Sequence, residues 1–248
     1  MSAAAKGCIA LVTGGNRGIG RAFVDELLAA GAEKVYMGSR EPVDDAPEGV
    51  EVVILDVTDQ ASVAAAAARC ADATVLVNNA GLHARTRLVL TDDTDAARRE
   101  MEVNYFGVLD MTRAFAPVLA ANGGGAIVNV LSVAGAIPTA FMGGYSTSKA
   151  AALYLSIISR AELEPQGTTV TALVVGSVDT RMADHVAGHK EDPRDIARIG
   201  LSAMKRGERV VDTDVMAITA RASYAVDPVR HEQAMAKLMN ATNLSTGR

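Results

Sequence analysis

Three polar side chains of this sequence could together deliver a proton to an oxygen atom. Tyr145 and Lys149 are four residues apart, and Ser132 precedes Tyr145 by thirteen. Residues at positions i and i+4 share one face of a helix, so a helix here would place the Lys149 ammonium near the Tyr145 phenol. A free phenol has a pKa of about 10, and acid or base chemistry near neutral pH requires that pKa to fall by roughly 3, or about 4 kcal/mol. A neighbouring cation in a partly dry cleft can supply much of that change.

A glycine-rich turn lies near the start of the chain. Gly14, Gly18 and Gly20 stand between a predicted strand and a predicted helix. Glycines let such a turn approach a pyrophosphate closely, while the helix N-terminus offers free N–H groups and a partial positive charge. The spacing differs from the more common dinucleotide fingerprint Gly-x-Gly-x-x-Gly, and no Gly-Lys-Ser/Thr ending indicates an ATP-type loop. Taken alone, the three glycines also fit an ordinary strand-to-helix turn.

The end of the second predicted strand bears on which dinucleotide could bind. Ser39 and Arg40 stand where a chain that binds NAD usually has an acidic residue for the ribose 2′-hydroxyl. An arginine suits a 2′-phosphate instead, and Arg17 in the glycine turn could reach the same phosphate. Glu41 would partly offset the charge of Arg40. The pattern favours NADP over NAD, with two solvated arginines as the alternative.

Composition narrows the class of protein. The 248 residues are 49% hydrophobic but only 4% aromatic, without Trp, which predicts one domain over residues 1–248 with a core of Ala, Val, Leu and Ile. The net charge is -5, and Arg and Lys are scattered, which argues against a nucleic-acid partner. The sequence shows neither a secretory signal nor an apolar span for a membrane, so we expect a cytoplasmic protein.

The histidines show no ligand pattern. His83, His185 and His189 lack the spacing to a Cys or carboxylate pair that a metal site requires. We therefore expect surface histidines and no metal site.

Short apolar runs alternate with helical patterns along the chain. This alternation predicts an α/β fold in which a doubly wound, Rossmann-type parallel sheet of about seven strands has helices on both faces. The predicted runs are residues 8–12, 34–37, 50–55, 74–77, 126–130 and 169–175, with a shorter one around 210–211. Residues 92–121 are predicted to form one or two helices that bend at Gly107 and Pro117. An irregular stretch at about 177–192 ends at Asp192-Pro193, a helix start, and is the candidate substrate loop.

Four motifs in this order resemble the classical short-chain dehydrogenase/reductase family. They are Thr13-Gly14-x-x-x-Gly18-Ile19-Gly20, Asn78-Asn79-Ala80-Gly81, Ser132, and Tyr145-x-x-x-Lys149. The resemblance covers roughly residues 6–180. It implies a Rossmann-type fold and hydride transfer with a nicotinamide cofactor.

The resemblance also implies roles for single residues. Tyr145 would be the acid in reduction and the base in oxidation, and Lys149 would lower its pKa and hold the nicotinamide ribose. Ser132 would bind the substrate carbonyl, and Asn104 would anchor a water that links Lys149 to solvent. Asp56 would contact the adenine, with the Val57 amide nearby, and Thr180 would touch the carboxamide. The expected cofactor residues are Gly14, Asn16, Arg17, Gly18, Ile19, Gly20, Ser39, Arg40, Asp56, Val57, Asn78, Ala80, Gly81, Tyr145, Lys149, Gly176, Val178 and Thr180.

The chain departs from the family pattern in two places. Val175-Gly176 replaces the usual Pro-Gly after the sixth strand, which removes one stiff φ angle from the backbone at the nicotinamide site. The C-terminal part lacks the Gly-rich ending of tetrameric members. We therefore expect a homo-oligomer, with a dimer through the helices of Asn104 and Tyr145 favoured over a tetramer.

The side chains around Ser132 and the substrate loop indicate the class of substrate. They are mostly apolar: Ala134, Ile137, Phe141, Met142, Val178 and Met182. Arg85, Arg87 and Arg181 are interpreted as solvated loop charges. We expect an NADP(H)-dependent reductase or alcohol dehydrogenase for a small to medium, mostly apolar ketone, aldehyde or secondary alcohol. An NAD-linked alcohol dehydrogenase and a non-catalytic NADP(H)-sensing protein are the alternatives.

Overall fold

The strands form one parallel sheet. The structure is a computed structural model that describes residues 6–245, with side chains to residue 240. The sheet has seven strands in the order β3-β2-β1-β4-β5-β6-β7, and every neighbouring pair is parallel. The strands are β1 Ile9–Thr13, β2 Lys34–Ser39, β3 Val50–Ile54, β4 Val75–Asn78, β5 Gly125–Val130, β6 Thr168–Val174 and β7 Val210–Asp212. The doubly wound sheet predicted from the sequence is confirmed.

Helices cover both faces of this sheet. They are α1 Gly18–Ala29, α2 Gln60–Arg69, α3 Ala96–Met101, α4 Gly107–Ala121, α5 Val133–Ala136, α6 Gly143–Leu163, α7 Pro193–Arg206, α8 Val215–Val226 and α9 Pro228–Ser245. Alternate residues of a strand point to opposite faces. Val12 accordingly packs with Phe23 of α1 and Ile196 of α7, while Leu11 packs with Val63 of α2 and Phe115 of α4.

The connection from α3 to α4 is a π-helical turn, Glu102–Phe106, that contains Asn104. Such turns are uncommon and often occur at functional sites. Gly107 was predicted to be a point of bending, but its environment shows close packing, because a Cβ there would lie 2.8 Å from Cγ2 of Val57. Pro117 lies inside α4, and a bend there stays a prediction.

The candidate substrate loop is closed at its base. The Asp179 amide donates to the Glu191 carbonyl at 2.9 Å, and the Glu191 amide donates to the Ser177 carbonyl at 2.9 Å. Asp192 caps α7 by accepting from the Arg194 amide, and Pro193 is the first residue of that helix, as predicted. Residues 177–192 therefore leave and rejoin the fold at one place.

Gly20 allows α1 to pack against the ends of β1 and β4, so we expect Gly20→Ala to destabilise the fold. Alanine in a helix interior normally gains about 1 kcal/mol over glycine. Here a Cβ would overlap the Gly14 carbonyl oxygen and the Asn79 amide nitrogen, and such overpacking costs about 1–3 kcal/mol. Thermal unfolding should show a lower midpoint for Gly20→Ala than for the parent chain. A midpoint for Gly20→Ala at or above that of the parent chain would contradict this packing.

Candidate active site

The predicted site residues converge on the carboxyl edge of the sheet. Strand order reverses in sequence between β1 and β4, and ligands of open α/β sheets bind at such a switch point. Gly14 follows β1, Gly81 follows β4 and Ser132 follows β5. The segment from Gly176 to Thr180 follows β6 at the same edge. One crevice can therefore be lined by residues that are far apart in the sequence.

Hydrogen bonds join the glycine turn to the segment that follows β4. The Thr13 hydroxyl accepts hydrogen bonds from the amides of Asn79 and Ala80 at 2.9 and 3.0 Å. The Asn79 side chain donates to the carbonyls of Thr13 and Gly14. Gly14 and Gly18 both adopt positive φ angles, 62° and 55°, which glycine tolerates best. The Asn-Asn-Ala-Gly motif thus shapes the turn through Asn79.

The start of α1 fits an anionic ligand. Its N-cap residue, Arg17, makes no side-chain capping hydrogen bond, and the first turn contains no acidic residue. Unsatisfied N–H groups at a helix N-terminus favour negative charge. A Cβ on Gly18 would lie 3.2 Å from Cγ2 of Thr180, so the turn also borders the segment after β6. These features fit the pyrophosphate of a dinucleotide.

Three arginines, Arg17, Arg40 and Arg181, lie close enough beside this turn to repel one another electrostatically. The pKa of Arg17 is lowered by burial and then by the nearby cations Arg181 and Arg40, while Glu41 opposes the shift. Within the described residues, none of these three arginines forms an ion pair. Arg17 and Arg40 are thus brought close, as the sequence suggested. Arg181, which was interpreted as a solvated loop charge, joins them.

The remaining residues predicted to bind the cofactor include Ser39, Asp56, Val57 and Asn78, and their surroundings differ. Ser39 is buried at the end of β2. Asp56 accepts hydrogen bonds from the amide and hydroxyl of Thr58, and these, with Arg40, lower its carboxyl pKa against the effect of burial. The Val57 side chain lies in the core, and Asn78 donates to Asn129 on the neighbouring strand. The Val57 side chain is therefore part of the core, whereas Asn78 keeps a buried Oδ1 that no group among the described residues hydrogen-bonds.

Ser132, Tyr145 and Lys149 meet in a buried cluster. Ser132 caps α5, and α5 packs so tightly on α6 that a Cβ on Gly135 would lie 2.5 Å from the Lys149 carbonyl carbon. Tyr145 is 7% exposed and Lys149 is 4% exposed. The Ser132 hydroxyl lies near enough to the Tyr145 phenol to lower its pKa, and Lys149 Nζ donates to the Val130 carbonyl at 3.0 Å. The sequence motif thus places two hydroxyls and an amine together.

Burial dominates the proton affinities in this cluster. It raises the pKa of Tyr145 to about 12; the Ser132 hydrogen bond opposes this shift, and Glu100 adds to it. Burial also lowers the pKa of Lys149 to about 8. The lowering of the phenol pKa expected from Lys149 is not found in the free chain, where Lys149 Nζ lies 5.8 Å from the Tyr145 ring centroid. The phenol is therefore protonated near neutral pH, the form that an acid requires.

Asn104 is fully buried and holds the segment after β4. Its side chain accepts from the Leu82 amide at 2.9 Å and donates to the Leu82 carbonyl at 2.8 Å and the Ser148 hydroxyl at 2.9 Å. A Cβ on Gly81 would lie 3.3 Å from Asn104 Oδ1 and 3.6 Å from Lys149 Nζ. Gly81 therefore keeps open the space between these two groups. The predicted water link through Asn104 stays a prediction.

Sequence reasoning missed two side chains beside Tyr145. His83 was expected at the surface, but its ring is half-buried and lies 4.9 Å from the Tyr145 ring. Glu100 is 1% exposed and accepts from the Ala84 amide at 2.8 Å, and burial raises its carboxyl pKa. His83 follows the Asn-Asn-Ala-Gly motif at the sheet edge, a position that could have suggested it. No local sequence pattern predicts that Glu100 is buried near Tyr145.

Arg85, which was interpreted as a solvated loop charge, bridges two segments of the chain. Its Nη2 donates to the carbonyls of Arg181 and Met182 and to the Asp184 carboxylate at 2.8 Å. It also has a φ of 58°, a left-handed value that is costly for a residue with a side chain. The segment after β4 and the substrate loop are therefore joined.

The apolar residues expected around the substrate divide into two groups. Ala134, Ile137 and Val178 are buried in the protein, and Met142 is half-buried. Phe141 and Met182 are exposed by 47% and 41% and can contact a ligand.

Within residues 6–240, no three His, Cys, Asp or Glu side chains are grouped so as to hold a metal ion. Each described helix is too short or too polar to cross a bilayer.

Comparison with known proteins places these features in a family. The family model described as short chain dehydrogenase matches residues 8–191. A short chain dehydrogenase of Aspergillus terreus is 36% identical over 68% of this chain, and one of Monascus purpureus is 34% identical over 71%. The chain spans 41% and 66% of the lengths of these two fungal proteins. A sorbitol dehydrogenase of Cereibacter sphaeroides is 30% identical over 89% of this chain and 93% of its own length.

A solved structure agrees over almost the whole chain. The short chain dehydrogenase of Burkholderia cenocepacia J2315, crystallised in complex with NADP, is 40% identical. It superposes with a TM-score of 0.89 and covers 95% of this chain and 99% of its own. The range of this chain that the family model matches, residues 8–191, contains the glycine turn, Ser132, Tyr145 and Lys149. The chain therefore belongs to the short-chain dehydrogenase family.

Proposed function

We propose that this protein is an NADP(H)-dependent oxidoreductase that interconverts a small to medium, mostly apolar ketone or aldehyde and the matching alcohol. The observation that carries the proposal is the buried cluster of Ser132, Tyr145 and Lys149 at the carboxyl edge of the sheet. The Cereibacter relative is named for dehydrogenation of an alcohol, and the Burkholderia relative was crystallised with NADP. The first name supports interconversion of an alcohol and a carbonyl compound, and the second supports NADP as the cofactor.

The two hydroxyls would act on the carbonyl oxygen of the substrate. Hydride transfer to a carbonyl carbon leaves negative charge on that oxygen, and preorganised donors in a dry site stabilise it. Tyr145, which is protonated in the free chain, would donate the proton, and Ser132 would hold the oxygen in place. Lys149, with a pKa of about 8, can exchange protons near neutral pH and return one to the phenolate. In oxidation the same groups would work in the opposite direction.

The cofactor, when bound, supplies or accepts the hydride. The glycine turn and the start of α1 would hold its pyrophosphate. Arg17 and Arg40 would hold the 2′-phosphate, and Arg181 lies close enough to add to their field. Asp56, Gly81, Gly176 and Thr180 would line the rest of the crevice.

A homo-oligomer stays a prediction. The outer face of α4 and α6 has a groove of about 760 Å³ lined by residues that include Tyr105, Leu109, Tyr154 and Ile158. Tyr154 and Ile158 are 69% and 54% exposed. This surface would be the dimer contact.

A panel of ketones, aldehydes and secondary alcohols tests the proposed activity. Each would be assayed with NADPH or NADP⁺ and with NADH or NAD⁺. We expect turnover of apolar carbonyl compounds with a preference for NADPH. Tight NADPH binding without turnover of any member would contradict the oxidoreductase and support the cofactor-sensing alternative.

We expect Arg40→Ser to weaken NADPH binding about tenfold or more, since a charge-assisted pair to a phosphate contributes about 1.5–3 kcal/mol. NADH has no 2′-phosphate, so its dissociation constant should change little. Lys205→Ser is the control, because it removes a charge from the end of α7 that leads back to β7. Isothermal titration with both cofactors gives the result. Equal loss of affinity for NADPH and NADH would contradict the phosphate contact.

A further inference from the structure

The His83 ring lies close to both the Tyr145 ring and the substrate loop. Its centroid is 4.9 Å from that of Tyr145, with the planes tilted by 44°, and 6.2 Å from that of His185 in the loop. A molecule held by Tyr145 under this loop would therefore lie next to the imidazole.

The backbone on both sides of His83 is held by buried side chains. Asn104 makes two hydrogen bonds to Leu82, and Glu100 accepts one from the Ala84 amide. Asn104 is 0% exposed and Glu100 is 1% exposed. Because two core residues fix its neighbours, the imidazole is preorganised.

One nitrogen of His83 has no partner. Nε2 is buried, and no protein group among the described residues hydrogen-bonds it. Such a group costs about 1–3 kcal/mol when it stays unsatisfied, so buried polar atoms usually have a partner. Burial, with His185 and Arg85 nearby, lowers the His83 pKa to about 4, so the ring is neutral near pH 7. A neutral imidazole nitrogen can pair with a hydroxyl, or with a carbonyl when it carries the proton.

We propose that His83 Nε2 binds a second oxygen of the substrate, on the carbon adjacent to the reacting one. We place the two oxygens on neighbouring carbons because the ring centroids of His83 and Tyr145 are only 4.9 Å apart. The preferred substrates are then α-diketones and α-hydroxy ketones, and in the other direction vicinal diols. This inference rests on the proposed function and names the substrate class of the same site.

The test compares butanedione with butanone, which differ by one oxygen. His83→Phe keeps an aromatic ring against Tyr145 and removes both nitrogens, and His83→Gln keeps a hydrogen-bonding group. We expect His83→Phe to lower the ratio of kcat/KM for butanedione over butanone about tenfold or more, as loss of one buried hydrogen bond implies. His83→Gln should keep part of this preference, and NADPH affinity should not change.

An unchanged ratio in His83→Phe, or an equal loss for both ketones, would overturn the proposal and assign His83 to packing. Binding of both ketones to the protein saturated with NADP⁺, measured by isothermal titration, separates this inference from the proposed function. If no ketone is reduced, a preference for butanedione that disappears in His83→Phe keeps the His83 contact and rejects the proposed activity. Equal affinity for both ketones in the parent chain rejects the contact.

Discussion

Tyr145→Phe should lower kcat for ketone reduction by about a thousandfold, within the range that general acid catalysis contributes. The variant loses one oxygen, which is the proton donor in the proposed reaction. NADPH affinity should stay within about twofold, since the proposed reaction places the phenol at the reacting carbonyl and not at the phosphates. Steady-state kinetics and titration with NADPH measure the two effects separately.

Tyr154→Phe is the matched control, because Tyr154 lies on the same helix and is 69% exposed. Its kcat should equal that of the parent chain. Thermal unfolding of Tyr145→Phe would show whether the variant is folded. Turnover by Tyr145→Phe within tenfold of the parent would remove the phenol from the mechanism.

Lys149→Met should lower kcat by about a hundredfold or more, and it should also stabilise the fold at pH 7. Burial lowers the pKa of Lys149 from 10.5 to about 8, which corresponds to about 3 kcal/mol of destabilisation when the amine is charged. The variant also loses the hydrogen bond from Lys149 to the Val130 carbonyl, which costs it about 1 kcal/mol of stability. The free energy of unfolding should therefore rise by about 2 kcal/mol in Lys149→Met.

The pH dependence of this gain follows from the direction of the shift. Between about pH 8 and 10.5 the unfolded chain binds more protons at Lys149 than the folded chain does, so the stability of the parent rises with pH. The advantage of Lys149→Met should be full below pH 8 and disappear as the pH approaches 10.5. Denaturant unfolding at several pH values measures it, with Lys237→Met on the exposed face of α9 as the control. A destabilised Lys149→Met at pH 7 would contradict the cost of burying the amine.

The strands could be predicted within one or two residues because a parallel sheet buries both faces. Residues 126–130 and 169–175, for example, are mostly apolar and rich in β-branched side chains, and they correspond to β5 and β6. The cluster of Ser132, Tyr145 and Lys149 was equally accessible, since its residues follow strand ends or share a helix face. In both cases the information lies in local sequence.

The sequence could not show effects that arise only after the chain has folded. Glu100 belongs to α3 and reaches the segment of His83 through the backbone amide of Ala84. Arg85 meets the substrate loop about a hundred residues later in the chain, and Gly107 is required by Val57 on another element. The pKa of Tyr145 was expected to follow the charge of Lys149, whereas burial has the larger effect. Each of these depends on contacts that no local pattern encodes.

Transfer of deuterium from the cofactor to the product tests the central claim most directly. The protein would be incubated with NADPH that carries deuterium at the transferable position of the nicotinamide and with a ketone from the panel, and the alcohol would be analysed by mass spectrometry. We predict an alcohol that is one mass unit heavier, with the deuterium on the carbinol carbon, and at least a thousandfold less of it from Tyr145→Phe. An alcohol without deuterium, or no alcohol from a chain saturated with NADPH, would contradict the account.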